Sequence, residues 1–114
     1  MNLLTNEVLY AMNAVHIING CRLTSKAIAS IIDAPQPYLQ RVLMYLVRAD
    51  VIKMKKGPGG GYYTTPEQYS RVKVLDIFTA LGYDMTERGG SRGSDRLSNA
   101  FYDTLNVTLE EFFA

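Results

Sequence analysis

Four glycines fall within five residues at Gly57-Pro58-Gly59-Gly60-Gly61, a density that neither a helix nor a strand interior tolerates. Glycine gives up more backbone freedom on ordering than any other residue, and proline brings no amide donor, so this run has to be a turn. On either side stand Val51-Ile52-Lys53-Met54-Lys55-Lys56 and Tyr62-Tyr63-Thr64-Thr65, rich in the β-branched and aromatic residues that suit a pleated surface. The segment reads as a β-hairpin. Most of the remaining periodicity is helical, which makes the expected fold mainly α with one small hairpin.

Thr5 caps a first helix over about 6–19, in which Val8, Met12, Val15 and Ile18 repeat near the 3.6-residue period before Asn19-Gly20 ends it. Thr24 caps a second, Ser25 to Ile32, with Ala27, Ile28, Ile31 and Ile32 as its apolar stripe. Asp33-Ala34-Pro35-Gln36-Pro37 is a break, and Pro37 suits the first turn of a third helix ending near Ala49. There Leu39, Val42, Leu43, Leu46 and Val47 face inward, leaving Tyr38, Gln40, Arg41, Tyr45 and Arg48 outward. A fourth helix spans about Val72 to Leu81, and the polar, glycine-bearing stretch 86–94 reads as a flexible loop. Arg96 to Leu105 forms an amphipathic helix, and Thr108-Leu109-Glu110-Glu111 is a capping box opening a last turn.

Three organisational units follow: a winged helix-turn-helix domain over 1–84, a loop over 85–94, and a dimerisation helix with tail over 95–114. Leu97, Phe101 and Leu105 are the expected dimer contacts, because a terminal segment cannot leave so many apolar groups wet. Charge divides earlier in the chain, on either side of a cut after Pro66. Residues 1–66 carry seven basic against three acidic side chains, a net +4, and the remainder five against eight, a net −3. A basic part joined to an acidic one suits one face for a polyanion and another for a different purpose.

Two short helices, a tight break, a third helix with polar residues outward and a basic hairpin form, in that order, a winged helix-turn-helix. Its third helix enters the major groove, where Gln40 can pair bidentately with adenine and Arg41 with guanine. Tyr38 and Tyr45 offer a hydroxyl to phosphate or an aromatic edge to a thymine methyl, and Lys53, Lys55 and Lys56 supply cations to the backbone. Thr24, Gly59, Gly60 and Tyr62 complete the expected interface at the helix-turn-helix entry and the wing. The glycine run lacks the Gly-Lys-Ser/Thr ending of a phosphate loop and lies between strands, so no nucleotide site is read there.

The chain resembles the Rrf2 family of bacterial regulators, which includes the iron-sulfur cluster regulator and a repressor of cysteine metabolism. The resemblance rests on Pro37-Tyr38-Leu39-Gln40-Arg41-Val42-Leu43 in the recognition helix and on Lys56-Gly57-Pro58-Gly59-Gly60-Gly61-Tyr62 in the wing. Val74-Leu75-Asp76-Ile77-Phe78-Thr79-Ala80-Leu81 carries it further, and residues 1–84 match better than the tail. It implies a homodimer built by the C-terminal helix, binding a two-fold symmetric operator in double-stranded DNA and usually repressing. Cluster-bearing members hold iron-sulfur with three cysteines in the loop before the dimer helix. Residues 85–94 contain none, so the expectation is no cofactor and no metal.

Cys21 and His16 flank the end of the first helix and form a candidate sensor pair, against the plainer reading of an inert buried thiol and a histidine on an apolar helix. The signal, a protein or a small-molecule effector, is left open. No nucleophile or carboxylate constellation surrounds the one histidine, which excludes the usual enzyme chemistries. No apolar run is long enough to span a bilayer and no export signal is evident, so a cytoplasmic protein is expected. The alternative function is a winged-helix protein-interaction module whose basic face is incidental.

Overall fold

The computed structural model describes residues 5–83 and 105–114. Of the expected C-terminal elements, the loop 85–94 and the dimer contacts Leu97 and Phe101 lie outside the described residues. The described elements run α1 (Asn6–Ile17), β1 (Arg22–Leu23), α2 (Ser25–Ile32), α3 (Gln36–Arg48), β2 (Lys53–Lys55), β3 (Gly61–Tyr63), α4 (Pro66–Tyr69), α5 (Val74–Ala80) and α6 (Leu109–Phe112). This is a winged helix-turn-helix, mostly helical with a small antiparallel sheet.

Local chemistry sets most boundaries. The hydroxyl oxygens of Thr5 and Thr24 accept from the backbone N–H of Val8 and Ala27, capping α1 and α2 as expected. Asp33 closes α2 and Asp50 follows α3, both in the left-handed conformation, with φ of 57° and 62°, that aspartate tolerates better than most residues. α3 begins at Gln36, one residue earlier than expected, with Pro35 as its cap residue and Pro37 in its first turn.

α1, α2, α3 and α5 bury one continuous core. Val8, Met12, Val15 and Ile18 come from α1 and its end, and Leu39, Val42, Leu43 and Leu46 from α3, all essentially inaccessible to water. Each such side chain contributes about 1.5–3 kcal/mol of burial. α2 departs from its stripe: Ile28 and Ala29 are buried while Ile31 is 59% exposed. The buried line of α2 runs through Ile28 and Ala29 to the half-buried Ile32, which leaves Ile31 toward solvent.

The sheet contains a strand that the hairpin reading lacked. β1 pairs with β3, giving the order β1-β3-β2 with Leu23 and Met54 both opposite Tyr62, and Arg22 and Lys53 both opposite Tyr63. The two-residue β1 is too short to announce itself by alternation and exists because β3 offers it a free edge. α4 was also not foreseen. Its Gln68 donates through Nε2 to the backbone oxygens of Asp50 and Val51, at 2.8 and 3.0 Å, tying down the bend between α3 and β2.

The tail returns to this core. Val74 N–H donates to Val107 O and Leu109 N–H to Val72 O, at 2.9 and 2.8 Å. Leu105 and Leu109 are buried among the core residues of their own chain. The capping box at Thr108 forms as read, with Glu111 N–H donating to Thr108 Oγ1 at 3.1 Å and Thr108 N–H to Glu111 Oε1 at 3.0 Å.

Candidate nucleic-acid interface

The inner face of α3 is held by Leu39, Val42, Leu43 and Leu46, and this leaves its outer face little freedom to rotate. On that outer face Pro37, Gln40, Arg41, Met44 and Arg48 are all exposed. Gln40, Met44 and Arg48 recur every four residues and so form one row along the helix, with Arg41 beside it. The expected readers Gln40 and Arg41 therefore share a solvent face. Met44 lies on the same face and was not singled out from the sequence, where a methionine in an apolar-rich helix reads as core.

Tyr38 and Tyr45 are half-buried on the flanks of this face. Tyr38 packs edge-on against Tyr10 of α1, with ring centroids 5.7 Å apart, and the Arg41 guanidinium lies 5.6 Å from the Tyr38 ring centre. Desolvation, reinforced by the Glu7 carboxylate, pushes the Tyr38 hydroxyl above its ordinary pKa, so it keeps its proton as a donor. Tyr38 thus steadies Arg41 from the side that faces α1.

The wing is built by backbone geometry. Gly60 N–H donates to Gly57 O at 2.9 Å, while Gly57, Gly59 and Gly61 have φ of 90°, 72° and 140°. Gly60 needs its missing Cβ for a different reason: a Cβ there would fall onto the carbonyl oxygens of Lys55 and Gly57. Arg22 of β1 donates through Nε to Gly59 O at 2.7 Å, anchoring the turn from outside the hairpin. It is a positioning residue that sequence reading counted only as charge.

Lys53, Lys55 and Lys56 are exposed. Alternation along β2 puts Lys53 and Lys55 on one face of the wing and Met54 on the other, beside Tyr62. Tyr62 is half-buried and, with Met54, lines a groove of about 350 Å³ facing Gln40, Met44 and Val47. Thr24 is exposed, and its oxygen serves the cap of α2.

The sequence matches the profile of the Rrf2 family, described as iron-dependent transcriptional regulators, over residues 4–112. The chain belongs to the Rrf2 family. Solved structures share its fold. CymR, the global cysteine regulator of B. subtilis, is 21% identical with a TM-score of 0.78, over 98% of this chain and 96% of that one. T. potens IscR is 20% identical with a TM-score of 0.75, over 99% and 86%. The oxidized form of Staphylococcus aureus CymR is 22% identical with a TM-score of 0.70, over 96% and 93%. None of the curated proteins compared with the sequence matches it.

The family description implies iron, and the donors of this Rrf2 chain do not fit an iron-sulfur cluster, which is normally held by cysteine thiolates. The chain has one cysteine and one histidine. Cys21 is exposed, not buried as the plainer reading had it, and its thiol donates to Ile17 O at 3.1 Å. His16 Nδ1 is 2.6 Å from the Tyr69 hydroxyl, and its ring stacks on Phe113 at 4.1 Å. Cys21 and His16 are thus engaged with separate partners. Among the described residues no three of His, Cys, Asp or Glu are grouped to hold a metal ion, and no helix is long and apolar enough to cross a membrane.

Proposed function

We propose that this Rrf2 regulator is a sequence-specific transcriptional repressor that acts in the cytoplasm as a homodimer on a two-fold symmetric operator. The observation that carries the reading is the exposed outer face of α3, where Gln40 and Arg41 stand together opposite its buried line, with a wing bearing Lys53, Lys55 and Lys56. An α-helix fits the major groove, Gln and Arg match adenine and guanine edges, and lysines neutralise phosphates. The dimer is assigned to segment 95–106 through Leu97 and Phe101; Leu105 already fills the core of its own chain. Because Leu109 does so too, the segment is tested by substitution, since truncation after Asp84 would open the core.

Selection of bound duplexes from a randomised pool tests the reading directly. The expected result is an enriched, roughly palindromic site, a dimer by sedimentation that L97A/F101A converts to monomer, and lower transcription in vitro from a promoter carrying the site. Equal binding to all duplexes would favour the protein-interaction module instead.

A further inference from the structure

We infer that the groove between α3 and the wing receives the 5-methyl group of a thymine, and that Met44 is the residue that selects it. This deepens the DNA-reading assignment and rests on it. Met44 and Met54 are each 41% exposed, on two elements that face one another across a groove of about 350 Å³ completed by Val47, Tyr62 and Gln40. Met44 occupies the row between Gln40 and Arg48, with Arg41 alongside. An apolar side chain there contributes nothing to the core, whose α3 line is Leu39, Val42, Leu43 and Leu46.

The surroundings identify the occupant. Arg41 and Arg48 share the helix face with Met44, Lys53 and Lys55 lie on the opposite face of the wing from Met54, and the groove lining contains no acidic side chain. An apolar slot beside the arginines of α3 fits an apolar group carried by a polyanion. The thymine methyl is the apolar feature that the major groove presents, and it is matched by contact with apolar side chains. Methionine's flexible, polarizable thioether adapts to such a group without a fixed pocket shape. Side chains four residues apart on a helix lie about 5–6 Å apart at Cβ, and base pairs rise about 3.4 Å. The selected thymine therefore lies within two base pairs of the adenine paired by Gln40.

The test uses the full chain and the site enriched from randomised duplexes, replacing each thymine in turn by deoxyuracil, which differs only by the missing methyl. One position in each half-site should bind about fourfold more weakly, the value of burying one methyl-sized group. M44A should bind thymine and uracil versions alike, while M44L should retain the preference. If uracil is tolerated at every position of a site that is otherwise bound specifically, or if M44A still discriminates, the inference is overturned and the DNA-reading assignment stands. If no sequence is enriched at all, that assignment falls and the inference falls with it.

Discussion

Replacing Gly61 by alanine should be far more damaging than the same change at Gly59, although both glycines have positive φ, 140° and 72°. At Gly59 an added Cβ meets nothing within 4 Å, so only backbone strain is incurred, about 1–2 kcal/mol for a left-handed residue. At Gly61 the Cβ would lie 2.6 Å from Leu23 O and 2.7 Å from Leu23 C, backbone atoms of β1 that cannot rotate aside. β1 then has to leave β3. That adds the loss of its ladder bonds and of the Arg22 bond to Gly59 O, roughly 0.5–1.5 kcal/mol each. With strain of about 1–3 kcal/mol, G61A should lose roughly 3–5 kcal/mol. At about 4 °C per kcal/mol for a chain of this size, Tm should fall by roughly 12–20 °C for G61A and about 4–8 °C for G59A. G59N should be nearly neutral, because asparagine accepts the left-handed region. Thermal unfolding followed by circular dichroism reads all three. G61A within about 1 kcal/mol of G59A would refute the claim that close approach of β1, not φ alone, demands glycine at this position.

DNA binding should separate readers from grips. Q40A or R41A should cost about 1–3 kcal/mol on the selected site and narrow its advantage over random duplex, measured by fluorescence anisotropy. K55A or K56A should weaken both duplexes alike and lower the slope of log affinity against log salt by roughly one per lost phosphate contact. L109A should destabilise the chain by about 2–5 kcal/mol in urea unfolding, since Leu109 is fully buried; a surface-like cost below about 0.5 kcal/mol would mean that the tail does not share the core. The Thr108 N–H and hydroxyl hold the Glu111 carboxyl below its ordinary pKa, so its contribution is present above the usual carboxylate range and is lost as pH falls through the depressed value. The stability difference between wild type and E111Q should accordingly shrink between pH 7 and acid, and a constant difference would rule this out.

Much of the candidate interface is legible in the chain because its geometry depends on short-range rules. The glycine run fixes the turn, Thr5, Thr24 and Thr108 name their own caps, and the 3.6-residue spacing of Leu39, Val42, Leu43 and Leu46 determines which face of α3 is left for Gln40 and Arg41. Contacts between distant segments left no such signature. β1 has two residues and no periodicity, so only the free edge of β3 makes it a strand, and only there does Arg22 reach the wing turn. Ile31 satisfies a helical stripe and is nevertheless exposed, while Ile28 and Ala29 on the same helix are buried. Leu105 reads as a group awaiting a second chain, yet it fills the core of its own chain, and the tail brings Phe113 to stack on His16. Met44 and Met54 are ordinary apolar residues in sequence and become a facing pair only when the wing folds beside α3. Sequence determines what each segment can bury, through propensity and period. Which surfaces actually meet is decided by packing the whole chain at once, where each apolar face takes the best partner that the turns bring within reach.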